Sequence, residues 1–267
     1  MRIGRIGYIN CAPVYGAIDR GIVALPPGGE LVTGTPSELN DLLVAGELDM
    51  SVISAIEYAR HAKDLVLLPD LAISCDGPVR SVALFSRRTV AQLDDRTVLL
   101  SASSRTSVAL LEILCCDVWK IKPRFAAARA EAQDLDALAA LPHDAVLVIG
   151  DAALALAARG TYPHRYDLGE EWKHWTGQPF VFAVWAARRL ASPAAVQLGH
   201  DALLASRAWG LAHLDELAAD AAGQTGVSLA MCREYLGGLD YAFSDPHHAA
   251  LTDFVRRVDE MQFVQVA

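Results

Sequence analysis

The chain has 267 residues, 53% hydrophobic and 21% charged, so it is long enough for two lobes with separate cores and too apolar for disorder. Its net charge of -9 excludes nucleic acid and an anionic membrane face as main partners, but not a small anion, because a local cluster of donors can oppose the overall field. No apolar stretch reaches the roughly 18 residues of a membrane-spanning helix, and the five cysteines form no CxxC pair, which fits a reduced compartment.

The first strand is predicted from the N-terminus to Asn10, stopping before Pro13. No charged leader or cleavage site precedes it, which predicts a cytoplasmic protein. Residues past the carboxyl end of a strand line the ligand crevice of α/β proteins, so Asn10 is a candidate site residue. Leu31–Gly34 reads as a strand. Thr35-Pro36-Ser37-Glu38 then opens a helix, with Thr35 as N-cap, Pro36 at the first helical position and Glu38 closing a capping box; Gly46 ends it. A strand returns at Leu48–Ile53, and Ser54 with Glu57 repeats the capping box. Strands follow at Leu65–Leu68 and Ser81–Phe85. Strand Thr97–Leu100 leads into Ser101–Ser107 and an apolar helix through Trp119, in which Cys115 and Cys116 read as small packing residues. Strand Arg124–Ala128, a helix near Asp134–Leu141, strand Ala145–Ile149 and the continuous apolar strand Phe180–Ala186 come next. Residues 193–237 read as helices, Leu239–Phe243 as a short strand and Asp245–Met261 as an amphipathic helix with His247 and His248 solvated in its first turn.

This alternation predicts an α/β fold of two lobes, each a mostly parallel sheet flanked by helices, joined by two hinge strands. Residues 1–85 with 187–267 are assigned to lobe one and 86–186 to lobe two, with the ligand cleft between them.

The strongest chemical signal is Ser103-Ser104-Arg105-Thr106-Ser107. Four hydroxyls and an Arg stand where a strand passes into a helix N-terminus, whose free N–H groups and dipole favour an anion. Capping alone explains some of these residues, but five exceed what a cap requires, and a carboxylate site is the expectation. Asp76-Gly77-Pro78-Val79-Arg80-Ser81 reads either as a turn delivering Ser81 to the cleft or as a surface turn. Asp151, at the end of a buried strand, reads either as a site residue or as a cap for residues 152–159. Trp175 and Thr176 read as a cleft wall or as core filling. The eight histidines show no HxH, HExxH or Cys/His ligand spacing, so no metal is expected. GxSxG, GxGxxG and P-loop patterns are absent, so no nucleotide cofactor or serine nucleophile is expected either.

Six ordered blocks together resemble the chorismate dehydratases of the futalosine route to menaquinone. They are Ile6–Pro13, the Pro36…Leu39…Leu42…Gly46-Glu47-Leu48-Asp49 passage, Cys75–Ser81, Ser103–Ser107, Ile149–Leu154 and Trp175–Ala186. The likeness covers residues 2 to about 190 and, more loosely, the C-terminal helices. It implies a type II periplasmic-binding-protein-like fold and a cofactor-free lyase that takes chorismate, a small anionic substrate, to 3-[(1-carboxyvinyl)oxy]benzoate. It also implies Asn10 as the amide at the reacting ring. Ser103, Ser104, Arg105, Thr106 and Ser107 would hold one carboxylate, Ser81 that one or the second, and Trp175, Thr176 and Asp151 would complete the site. A sister naphthoate synthase is disfavoured, because its Ser-Pro-Cys-Pro-Asn-Asp type of start is Tyr8-Ile9-Asn10-Cys11-Ala12-Pro13 here. An importer's solute receptor would need a leader ahead of Cys11, and a regulatory domain would need a DNA-binding helix pair. The chain's oligomeric state is expected to be a monomer or a homodimer.

Overall fold

Apolar strands separated by capped helices build two five-stranded sheets. The computed structural model describes residues 1–101, 105–128 and 134–261. In chain order, β1 (Arg2–Ile6) passes through a 3-10 turn at Ile9–Cys11 into α1 (Ala12–Asp19), followed by β2 (Glu30–Gly34), α2 (Pro36–Ala45), β3 (Met50–Ser54), α3 (Ala55–Arg60) and β4 (Leu65–Cys75). Then come β5 (Val82–Ser86), β6 (Thr97–Ser101), α4 (Arg105–Ile113) with a π-helical turn at Leu114–Val118, β7 (Arg124–Ala128), α5 (Leu135–Ala140), β8 (Ala145–Ile149), α6 (Asp151–Arg159), β9 (His164–Asp167) and α7 (Leu168–Thr176). β10 (Phe180–Arg188) precedes α8 (Pro193–Ala212), α9 (Leu214–Thr225), α10 (Leu229–Gly238) and α11 (Asp245–Glu260).

The chain divides into two units. Unit one holds Met1–Ser74 with Val181–His248, and unit two holds Cys75–Phe180 with the chain from Ala249 onward. The sheet of unit one has the order β2-β1-β3-β10-β4 and that of unit two β7-β6-β8-β5-β9. β1 runs parallel to β2 and β3, and β6 parallel to β7 and β8. The antiparallel pairs involve β10 with β3, and β5 with β8 and β9. Parallel strands need a crossover connection; β5 follows β4 through a short segment, whereas β10 follows α7.

Local sequence explains much of this. Thr35 Oγ1 accepts from Glu38 N–H at 3.4 Å and Glu38 Oε2 accepts from Thr35 N–H at 2.8 Å, the expected capping box, and Gly46 ends α2. Ser54 does not repeat it. Its N–H donates to Asn40 Oδ1 at 3.2 Å and its hydroxyl accepts from Asn40 Nδ2 at 3.3 Å, so the buried amide of α2 takes the groups a cap would use. Leu239–Phe243 forms only a single bridge, Ser74 to Asp240. His247 is buried at 6% exposure, not solvated. Its Nδ1 accepts from the Ser244 N–H at 3.2 Å and pairs with the Ser244 hydroxyl at 2.9 Å, and its Nε2 lies 3.4 Å from Asp240. His247 thus closes the start of α11 as a Glu would in a capping box. Of the adjacent cysteines, which lie in the π-helical turn, Cys115 is buried and Cys116 exposed, since neighbours in a helix point in different directions.

Candidate functional site

Asn10 does not end the first strand. β1 stops at Ile6, and Asn10 sits in the 3-10 turn that feeds α1, because Ala12-Pro13 starts a helix and draws the preceding residues into it. The turn is anchored through α1. The Tyr15 hydroxyl donates to the Gly4 carbonyl of β1 at 2.8 Å and accepts from Trp185 Nε1 of β10 at 3.0 Å, and Ala17 N–H donates to Ser206 Oγ of α8 at 3.2 Å. Within this frame the Asn10 side-chain oxygen is buried without a hydrogen-bond partner among the described residues. A buried unpaired acceptor is destabilising by about 1–3 kcal/mol, and Arg5, Arg188, Arg207 and Tyr241 each carry a buried polar atom in the same state among the described residues. A pocket beside the same turn, lined by Tyr8, Ile9 and Cys11 among others, is a weaker candidate: Arg5 pairs with Asp19 at 2.6 Å and Arg20 pairs with Asp220, leaving no net charge for an anion.

In unit two, the pairing gathers the other candidates at one sheet edge. β6, β8 and β9 point their carboxyl ends to the edge where β5 begins. Ser81 stands just before β5, buried, and its carbonyl accepts from Gly150 N–H at 2.7 Å. Asp151 follows Gly150 and begins α6, so the helix starts one residue earlier than its cap reading implied. Arg105, Thr106 and Ser107 form the first turn of α4 after β6; Thr106 and Ser107 are buried and Arg105 is exposed. Ser103 and Ser104 lie outside the described residues.

Sequence reasoning missed the residue that organises this edge. Asp167, at the end of β9 and 3% exposed, accepts from Val79 N–H at 2.9 Å and Gly169 N–H at 3.0 Å through one oxygen, and from Arg80 N–H at 2.6 Å through the other. It therefore caps α7 and pins the strand-to-strand segment ahead of Ser81. Burial pushes its carboxyl upward in pKa, opposed by the N–H groups of Val79, Arg80 and Glu170. The signal was Asp167-x-x-Glu170, a capping pattern. Gly169 completes the contact: a Cβ there would meet Cys75 Sγ at 2.6 Å and the Gly77 carbonyl at 2.8 Å.

α7 ends in Trp175 and Thr176. Trp172 is fully buried, edge-on to Phe180 at 5.2 Å and Phe254 at 6.1 Å, and donates to the Pro179 carbonyl at 3.1 Å. Trp172 is the core filler, while Trp175 is half-buried and meets it edge-on at 5.8 Å. The Thr176 hydroxyl donates to the Trp172 carbonyl at 2.9 Å and accepts from Gln178 N–H at 3.1 Å, tying a turn that Gly177, at φ 71°, makes possible.

Glu112, on α4, is 7% exposed, and burial pushes its carboxyl up to about 7. A raised carboxyl pKa contributes stability that is complete below the unfolded value near 4.5 and is lost as pH rises through about 7. Thermal melts of Glu112→Gln and the native protein between pH 5 and 8 are therefore expected to converge at pH 5 and diverge at pH 8, where the variant is more stable by several degrees. Parallel curves would place Glu112 in a solvated setting. No group of three or more His, Cys, Asp or Glu side chains gathers to hold a metal ion among the described residues, and no helix there is long and apolar enough to cross a membrane.

Comparison with known proteins agrees with this architecture. The family model described as menaquinone biosynthesis matches residues 1–260. A chorismate dehydratase of Thermus thermophilus is 34% identical over 94% of this chain and 93% of its own length. One of Campylobacter jejuni is 31% identical over 68% of this chain and 66% of its own. Among solved structures, a protein of Archaeoglobus fulgidus superposes with a TM-score of 0.79 at 19% identity, covering 97% of this chain and 96% of that one. The periplasmic aliphatic sulphonate binding protein SsuA of Escherichia coli gives 0.67 at 17%, covering 97% and 85%. The fold is thus periplasmic-binding-protein-like, and the chain belongs to the menaquinone biosynthesis family.

Proposed function

We propose that the protein is a hydro-lyase that dehydrates chorismate to 3-[(1-carboxyvinyl)oxy]benzoate in menaquinone biosynthesis. The observation that carries this reading is the 34% identity, over 94% of the chain, to a chorismate dehydratase. A proton leaves the ring carbon that bears the enolpyruvyl ether, hydroxide leaves the neighbouring carbon, and together they depart as water. The elimination is redox-neutral and driven by aromatisation, so its balance calls for no co-reactant. The protein has to orient the ring, exclude water and handle one proton.

An amide is no base. In this reading Asn10 orients the substrate: its buried oxygen, without a partner among the described residues, accepts from a substrate hydroxyl and its NH2 donates to the departing one, while a carboxylate of the substrate takes the proton. The hydroxyl-bearing segment Ser103–Ser107 holds one carboxylate, where the N–H groups opening α4 favour an anion. Ser81 serves that carboxylate or the second, Asp151 borders them, and Trp175 and Thr176 pack against the substrate. A cytoplasmic setting belongs to the same reading and is supported by five free cysteines.

Mixing the purified protein with chorismate, without added metal or nucleotide, is expected to produce the ultraviolet absorbance of a substituted benzoate together with loss of the diene. Chorismate left unchanged by folded protein overturns the assignment.

A further inference from the structure

The terminal helix α11 reaches the Trp175 turn through two side chains. The Arg257 guanidinium lies 4.1 Å from the centroid of the Trp175 ring and 5.7 Å from that of Trp172. Asp253, one turn earlier, accepts from Arg257 Nε at 2.9 Å and from Gln178 Nε2 at 3.4 Å. Arg256 also donates to Asp253, at 2.6 Å, and to Glu260, at 2.8 Å. Burial raises the Asp253 pKa, but the hydrogen bonds from Arg256 and Arg257 outweigh it and hold the carboxyl below its usual range.

The turn's backbone needs little help from α11. Thr176 ties it to Trp172 and Gln178, and Lys173 Nζ donates to the Gly177 carbonyl at 2.9 Å. The indole of Trp175 is half-buried, and its contacts are the edge of Trp172 and the Arg257 guanidinium among the described residues. The Arg257 guanidinium, 4.1 Å from the ring centroid, holds the indole by attraction to its π face.

We propose that Arg257 and Asp253 are positioning residues for substrate binding. Asp253 fixes the Arg257 guanidinium, and Arg257 fixes the Trp175 indole in the orientation that meets the substrate ring. This inference rests on the reading of Trp175 as a substrate-facing residue. It assigns a binding role to a helix that the motifs around Asn10, Ser81 and Ser103–Ser107 do not reach.

The test is steady-state dehydration by Arg257→Gln, Arg257→Lys and Trp175→Leu, each checked by circular dichroism and thermal melting. Arg257→Gln keeps the stem of the side chain and loses the charge. It is expected to raise KM about 5- to 10-fold with kcat within about twofold, the pattern of lost binding that is equal in ground and transition states. Arg257→Lys keeps a point charge without the planar face and is expected to fall between it and the native protein. If Arg257→Gln does not fold, Asp253→Asn, which preserves shape and weakens the anchor, is expected to raise KM in the same direction. A native KM in the folded Arg257 or Asp253 variant, while Trp175→Leu raises KM, overturns the positioning role alone. A native KM in Trp175→Leu overturns the reading of Trp175 and the inference with it. A lowered melting temperature with unchanged KM marks Arg257 as structural only and likewise overturns the inference.

Discussion

Asn10→Ala is expected to lose chorismate turnover by about 100- to 1,000-fold, the range for removal of a preorganised polar group at developing charge, while keeping its fold. The second half of that expectation follows from the geometry. The Asn10 oxygen has no partner among the described residues, so truncation breaks no bond made through it and removes a buried acceptor that already destabilises the native state. The melting temperature should stay within a few degrees of native or rise. Stability and activity then separate, as they do where a protein tolerates local strain for function. The rate of aromatic product formation beside a thermal melt measures both. Near-native turnover would remove Asn10 from the mechanism, and a large loss of stability would identify it as structural.

Asp167→Ala is expected to destabilise the protein by about 3 kcal/mol, lowering its melting temperature by roughly 6–12 °C. A single buried carboxylate serves the N–H groups of Val79, Arg80, Gly169 and Glu170, and alanine strands all of them. Hydrogen bonds to a charged group contribute about 1.5–3 kcal/mol each, and bonds sharing one acceptor are not additive, so the sum stays well below four times that value. Asp167→Asn should lie between, since its NH2 faces donors where an oxygen accepted. Denaturant unfolding followed by fluorescence checks the order of the three proteins. An alanine variant as stable as the native protein would show that water or a shifted backbone replaces the carboxylate.

Legibility in the sequence followed the range of the interactions. The helix Pro36–Ala45 was readable because Thr35, Pro36, Glu38 and Gly46 define it within a dozen residues. Strands such as Ala145–Ile149 and Arg124–Ala128 were readable from apolar or β-prone runs bounded by breakers. His164–Asp167 was missed because its residues are polar and its place is secured by pairing with β5, about 80 residues away in the chain. The end of the first strand was misplaced by four residues, because Pro13 was read as a stop for the strand when it begins a helix. Ser54 failed as a cap because Asn40 competes for it, and no local rule could see that competitor. The candidate site divides the same way. Asn10, Ser81 and Thr106 stood out through motifs, whereas Asp167 and Arg257 acquire their meaning from what they touch across the fold.

The ownership of α11 also bears on how the chain comes together during synthesis. Unit two begins at Cys75, yet its aromatic cluster of Trp172 and Phe180 is completed by Phe254, 5.0 Å from Phe180. Unit one likewise needs strand β10 and the helices beyond it. Each unit thus draws on chain made well after its first strands, although domains ordinarily fold as they emerge. During synthesis the aromatic face of Trp172 and Phe180 stays open until Phe254 appears, and the sheet of unit one lacks β10 only until Phe180–Arg188 appears.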